Sequence, residues 1–334
     1  MKDILFIIQS ESMPSSRIRI IDLVPELERS GLSVSVEVIP KDFLKRRIFF
    51  RKAAKFSVVV LQKKMLRWLD FFELRHYANK LVFDFDDAIY LRCASPSKDL
   101  HMYQSRTRRT LFNRIINGVD LVICANEVLL KEVKQVAPQT RAVKIPSSID
   151  IKCIVPKADY RLNSNPVIGW IGTRSTLRYL NEIKDVLINL QRKHNIILRV
   201  IADSPYEVDD LRCEFIPWSL DNQYRHICEF DIGIMPLSDD PFSRGKASFK
   251  LLQYLACGVP AVCSAVGMNI EVSENEKNCL LAYNQEDFFE KLNMLITNQQ
   301  LRETLGKNGP GLIRNSFSKE VVGKKLSKVL HDLI

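Results

Sequence analysis

Between Asp231 and Asn269 the chain reads DIGIMPLSDDPFSRGKASFKLLQYLACGVPAVCSAVGMN. Its cations are Arg244, Lys246 and Lys250, set among the small residues Gly245, Ala247 and Ser248. The pattern predicts a strand over 232–235, a polar loop, a helix over 248–257 and a strand over 261–264. Cations and small residues opening into a helix make an anion site, because free N–H groups and the positive helix end converge there. Lys250 follows Lys246 by four residues, so on one helix both ammonium groups would reach the same face of the first turn. A phosphate or diphosphate suits this chemistry. The plainer alternative is a strand–helix connection with solvated lysines.

Two further segments carry chemistry. VFDFDDAIY (82–90) sets Asp84, Asp86 and Asp87 at the end of an apolar run. Such carboxylates can hold a divalent cation, take a proton, or cap a helix and pair with arginine. KDFLKRRIFFRKAAKF (41–56) mixes cations with phenylalanines. Read as a basic amphipathic segment, it puts Phe49 and Phe50 into a lipid headgroup layer and Arg46 and Arg47 on anionic lipid. The alternative packs Ile48 and Phe49 on a sheet.

The elements that must position these groups alternate along the chain. Strands are expected at 4–8, 33–39, 57–61, 81–84, 121–125 and 142–145, with a helix over 17–30. The stretch 146–166 holds three prolines and little periodicity, and reads as a boundary. Strands resume at 167–171, 196–202 and 213–216, with helices over 177–194 and 222–229. Helices close the chain near 286–298, 300–308 and 318–334. Strands separated by helices imply right-handed βαβ units and parallel sheets. Ligands of such sheets sit at the carboxyl ends of the strands.

Composition narrows the function classes. At 334 residues and 46% hydrophobic, the chain can bury two cores. No apolar run approaches the roughly 20 residues that span a bilayer, and ILFII reads as a buried first strand, not a signal core. Eight cysteines without C-x-x-C spacing read as reduced core residues of a cytosolic protein, and five dispersed histidines argue against zinc. Residues 1–150 hold 26 Lys+Arg and 17 Asp+Glu, or +9 of the net +10. That half is expected to meet an acidic partner, with nucleic acid the weakest candidate for want of a motif.

With these motifs in order, the chain resembles glycosyltransferase family 4, retaining nucleotide-sugar enzymes of the GT-B fold. The resemblance rests on GKASFKLLQYLACGVPAVCSAVG, VFDFDDAIY, IPSSID, IGWIGTRSTLRYL and FIPW. It implies two Rossmann-like domains across a cleft: 1–150 facing the acceptor and membrane, a linker at 151–166, and 167–317 binding the nucleotide sugar. A last helix, 318–334, would pack back toward the first domain. The implied activity is a hexosyl transfer from a nucleoside-diphosphate sugar to a lipid-linked or cell-surface glycan, at the inner face of the cytoplasmic membrane. No metal or other cofactor is implied.

The resemblance also assigns roles. Lys246, Lys250 and Arg178 would hold the departing diphosphate, with Gly172, Thr173, Arg174 and Ser175 as its glycine-turn loop. Phe215, Ile216, Pro217 and Trp218 would meet the base, uridine or guanosine. Asp240, Arg244, Gly245, Ser248, Phe249 and Gln253 would line the rest of the donor site. Asp86 or Asp87 would place the acceptor hydroxyl. Ser15, Ser16, Arg17 and Arg19 stand where the family often has a glycine-rich loop and would contact the acceptor. Two family glutamates are absent: Gly245 and Gln253 stand at their positions, leaving Asp239 or Asp240 to meet the donor sugar. Three alternatives stay open: a catalytically weak GT-B scaffold, a metal-dependent GT-A enzyme using Asp84–Asp87, and a basic nucleic-acid-binding protein.

Overall fold

The computed structural model describes residues 2–93, 99–274 and 276–334, which divide into two compact units. Unit 1 comprises 1–148, 244–247 and 318–334. Unit 2 comprises 149–243 and 248–317.

Unit 1 is built on β1 (Lys2–Ile8), β2 (Val34–Val38), β3 (Phe56–Gln62), β4 (Lys80–Phe85), β5 (Leu121–Cys124) and β6 (Arg141–Lys144). They form one parallel sheet in the order β2-β1-β3-β4-β5-β6. The inner strands are continuous apolar runs because helices cover both faces. Phe6, Val60, Val82 and Leu121 pair across them in register. The helices are α1 (Pro14–Arg19), α2 (Val24–Arg29), α3 (Phe43–Arg51), α4 (Trp68–Tyr77), α5 (Arg106–Gly118) and α6 (Glu127–Val136). The single helix expected over 17–30 is broken into α1, a 3-10 turn and α2. Pro25 supplies the reason: it has no N–H to donate and its ring crowds the preceding turn. The final helix, Lys319–His331, buries Val322, Leu326 and Leu330 with Leu23 and Leu27. Each such side chain contributes about 1.5–3 kcal/mol by leaving water.

Unit 2 repeats the plan with β7 (Val167–Ile171), β8 (Ile197–Ala202), β9 (Cys213–Pro217), β10 (Ile232–Met235), β11 (Ala261–Ser264) and β12 (Leu280–Ala282). The parallel order is β12-β11-β10-β7-β8-β9. Its helices include α7 (Arg178–Asn181), α8 (Lys184–His194), α9 (Gln223–Cys228), α10 (Pro241–Arg244) and α11 (Phe249–Ala256). The stretch 151–166 contains no helix or strand, yet it packs into unit 2 and buries Ile154 and Tyr160. Lys157 is tied to Asp231 at 2.9 Å. Among the described residues, no helix is long and apolar enough to cross a membrane.

Candidate functional site

In unit 2 the carboxyl end of β7 leads into Gly172. A Cβ there would lie 2.3 Å from the Trp170 ring and 2.8 Å from Thr176 Oγ1, so only glycine lets the chain turn. The turn is closed by reciprocal bonds between Thr173 and Thr176, and the Thr173 and Ser175 hydroxyls share a 2.9 Å bond. Arg174 N–H donates to Asp203 at 2.5 Å. Arg178 opens α7 and lies over the Tyr179 ring, 4.9 Å from its centroid. The Tyr179 hydroxyl continues to Ser243 at 2.9 Å, and Ser243 donates to Asp240 at 2.7 Å.

Lys250 occupies the first turn of α11. Its ammonium stands 5.2 Å from the centroid of the Trp170 ring. Ser248 precedes the helix in the left-handed region, with φ 49°. Its hydroxyl donates to Asn269 at 2.7 Å, so it does not cap α11. Left-handed backbone at a side-chain-bearing residue costs on the order of 1–2 kcal/mol. Here it accompanies a helix start without a side-chain cap and with a cation in its first turn, which is an arrangement for an anion.

Several expected contacts are corrected. Lys246 and Lys250 do not share a helical face, because α11 begins at Phe249 and Lys246 lies in the loop before it. Gln253 is buried and its amide donates to Gln223 on α9 at 3.0 Å, a helix-to-helix contact. Asp240 is buried as the cap of α10: it accepts from the Phe242 and Ser243 N–H groups at 2.8 Å and from the Ser243 hydroxyl. It therefore has little left to offer a donor sugar. Phe215, Pro217 and Trp218 are exposed at the end of edge strand β9, and Ile216 is half-buried. Trp218 N–H is fixed to Ala202 at 2.9 Å.

Sequence reading missed Trp170, Tyr179 and Glu182. The Glu182 carboxyl is raised above its ordinary pKa by burial, against which the Ser238 hydroxyl bond works. Glu182 borders a cavity of about 260 Å³ with Ser238, Asp239 and Tyr283. No Lys or Arg lines it, so it is not the place for a diphosphate.

In unit 1 the acidic triplet is already paired. Arg19 grips Asp84 at 2.5–3.2 Å and donates to the Ile145 carbonyl at 3.1 Å. Both side chains are buried, so Arg19 is not an acceptor contact but the counter-ion of a buried carboxylate. Ser16 is also buried and donates to Gln62 at 3.0 Å. Ser15 is buried, and Arg17 is half-buried. Lys63 stands between Asp86 at 2.7 Å and Asp87 at 2.5 Å. Its φ of 58° is left-handed, and its N–H bonds Asp84 O at 2.7 Å. Burial pulls the Lys63 ammonium down, but Asp86 and Asp87 together hold its pKa above the ordinary value. Burial raises the Asp86 carboxyl, Lys63 works against it, and Asp87 adds to the rise. Two cations thus stand where the metal-dependent reading would need a divalent ion.

Arg244–Ala247 counts with unit 1. The amide of buried Asn126 donates to the Gly245 and Lys246 carbonyls, both at 3.0 Å, while its oxygen caps α6 at Leu129. A Cβ at Gly245 would sit 2.8 Å from the Ala88 methyl and 3.0 Å from Ala88 N. A side chain at this position would crowd Ala88.

The membrane assignment within α3 is corrected too. Phe49 and Phe50 are buried, with Ala53, because a 3.6-residue period turns them inward. Arg46 and Arg47 are held by α4 carboxylates, Asp70 at 3.0 Å and Glu73 at 2.9 Å.

The family model described as Glycosyl transferases group 1 matches residues 166–298. Among curated proteins, none matches the chain by sequence. Sucrose-phosphate synthase from Thermosynechococcus elongatus superimposes with a TM-score of 0.74 at 15% identity, covering 100% of this chain and 99% of that one. The chain has the GT-B fold. HepE from Anabaena, in complex with UDP and glucose, aligns with the same TM-score at 16% identity, over 99% of this chain and 100% of its own. A glycosyltransferase from Rickettsia africae gives 0.69 at 12% identity, with 99% and 98% covered. Within this GT-B chain, the matched stretch holds Trp170, Arg178 and Lys250, with Gly245 and Gln253 where the resemblance leads one to expect glutamates.

Proposed function

We propose that this protein is a retaining glycosyltransferase. It moves a sugar from a nucleoside-diphosphate sugar to a lipid-linked or cell-surface glycan acceptor, as in lipopolysaccharide or capsule synthesis, working peripherally at a membrane. The observation that carries this reading is Lys250 over Trp170 at the start of α11, a helix with no side-chain cap, inside the stretch that matches the glycosyl transferase model. Uridine is the favoured base, since HepE is similar in fold and its complexes hold UDP or UDP-glucose.

Each chemical demand has a candidate group. Lys250, Arg178 and the α11 start neutralise the departing diphosphate, as preorganised charge must where negative charge develops. The exposed aromatic end of β9 meets the base. Asp86, with its raised pKa and Lys63 beside it, holds the acceptor hydroxyl or takes its proton. With Asp84, Asp86 and Asp87 paired to Arg19 and Lys63, the transfer is read as metal-independent.

A thermal-shift titration with UDP and GDP, with and without EDTA, tests the reading. A ligand that binds only the folded state raises the melting temperature. A UDP-dependent rise that survives EDTA is expected. No rise with any nucleoside diphosphate would remove the donor site. The crowded Gly245 and the engaged Asp240 favour a second reading, a binding scaffold without transfer. A nucleotide that binds with no sugar released to acceptor or water would select it.

A further inference from the structure

Helices α3 and α4 pack side by side in unit 1 and leave one apolar face uncovered. Leu44 is 69% exposed, Ile48 66% and Phe72 66%, and Phe43, Trp68 and Leu69 are more than 40% exposed beside them. Trp68 and Phe72 stack with centroids 6.1 Å apart. Large exposed apolar groups gathered in this way mark an interaction site. The surrounding charge says with what. Residues 41–67 hold ten Lys+Arg and one acid, Asp42. Lys41, Lys45, Lys64 and Arg67 are exposed and have no carboxylate partner among the described residues. A protein partner or a second copy would need a matching acidic, apolar surface, whereas an anionic bilayer supplies both chemistries at once.

A cavity of about 480 Å³ opens beside this face, at the carboxyl ends of β1, β2 and β3. Lys41, Arg46, Lys64 and Arg67 line it, with Asp70 as its only carboxylate. Asp70 is buried and paired to Arg46 at 3.0 Å. Its other oxygen, Oδ1, and Arg46 Nε are buried without a hydrogen-bond partner among the described residues. The protein alone leaves this polar site incompletely satisfied.

We propose that the α3–α4 face docks on an anionic bilayer and that the adjoining cavity seats one phospholipid phosphate headgroup. The proposal rests on the membrane acceptor in the reading above. Phe43, Leu44, Ile48, Trp68, Leu69 and Phe72 enter the acyl boundary, and the cavity cations meet the phosphate.

The test is co-sedimentation with vesicles of phosphatidylcholine alone and of phosphatidylcholine with phosphatidylglycerol. Soluble glycerophosphate serves as a competitor, and the UDP thermal shift is read on every variant. The parent should bind only the anionic vesicles, less tightly as salt rises. Lys64→Ala with Arg67→Ala should weaken binding on the order of tenfold or more. Trp68→Ser with Phe72→Ser should also release the protein. Both pairs are exposed, so folding and the UDP shift should be unchanged.

Parent-like binding by either double variant overturns the proposal, as does equal binding to both vesicle types. Failure to bind any vesicle overturns it while a UDP shift leaves the donor reading standing; the converse loss, of the UDP shift alone, strikes the donor reading. A glycerophosphate shift without vesicle binding would make the ligand a free phosphate. Self-association abolished by Trp68→Ser with Phe72→Ser, without lipid binding, would make the face a dimer interface.

Discussion

Replacing Lys250 by Met separates a ligand effect from a folding effect. In the protein alone, the Lys250 ammonium stands 5.2 Å from the centroid of the Trp170 ring. Removing a cation–π contact of this kind costs about 0.5–1 kcal/mol. Methionine keeps the apolar stem and adapts to the gap. For a unit of this size that contact accounts for about 1–4 °C of melting temperature. A bound diphosphate would lose a charge-assisted hydrogen bond, worth about 1.5–3 kcal/mol. That corresponds to a roughly 10- to 150-fold rise in the Kd for UDP. Isothermal titration calorimetry with UDP, beside a thermal melt of the same samples, reads both quantities. Lys250→Arg should recover part of the affinity, since it restores charge but not the point geometry of an ammonium. Unchanged UDP affinity in Lys250→Met would refute the reasoning and make the start of α11 an ordinary helix entry. A large fall in the melting temperature would show that Lys250 serves the fold.

Other outcomes follow from unit 1. Because Asp86 must be ionised to accept a proton and its pKa is raised, activity should fall as pH drops through a value above the ordinary carboxylate range. Asp86→Asn should abolish that acid limb of kcat/KM, and Lys63→Met should move it higher by removing the opposing cation; a profile indifferent to both would discard Asp86. Arg19→Met leaves Asp84 buried without its partner, and urea unfolding should show a loss of about 3–5 kcal/mol. A loss below about 1 kcal/mol would mean that Asp84 finds water or another donor. Gly245→Glu sets the glutamate that the resemblance leads one to expect against Ala88, 2.8 Å from the would-be Cβ. Overpacking should lower stability by about 1–3 kcal/mol, and a stable variant with higher turnover would show that the site lacks a carboxylate, not space.

The strands were readable because parallel strands buried on both faces must be apolar throughout. ILFII, SVVVL and LVIC admit few other fates in a chain of this length. The broken helix at 17–30 was readable in part, since Pro25 forbids an uninterrupted turn, although periodicity alone passes over it. Lys63 gave no signal. A lysine after VVVLQ resembles any strand-end cation, and its role depends on a left-handed turn that aims it at carboxylates more than twenty residues away. Trp170 reads as a core aromatic until Lys250 is placed over it, 80 residues later in the chain. The segment 41–56 shows the same limit. Its composition put Phe49 and Phe50 at a surface, while the facing of α3 buries them and exposes Leu44 and Ile48, as Trp68 and Phe72 are exposed on α4.

By itself the sequence determined the repeated strand–helix rhythm, the two parallel sheets and the cationic, small-residue entry to α11. These depend on local period, local propensity and the order of motifs along the chain. Tertiary structure alone decided which charges are free to act. Arg19 and Asp84 lie 65 residues apart and become a buried pair, and Gly245 is crowded by Ala88 from a distant loop. The reason is physical: a side chain's chemistry depends on its desolvation and on the neighbour that satisfies it. Both are set by which elements pack together, not by the residues beside it in the chain.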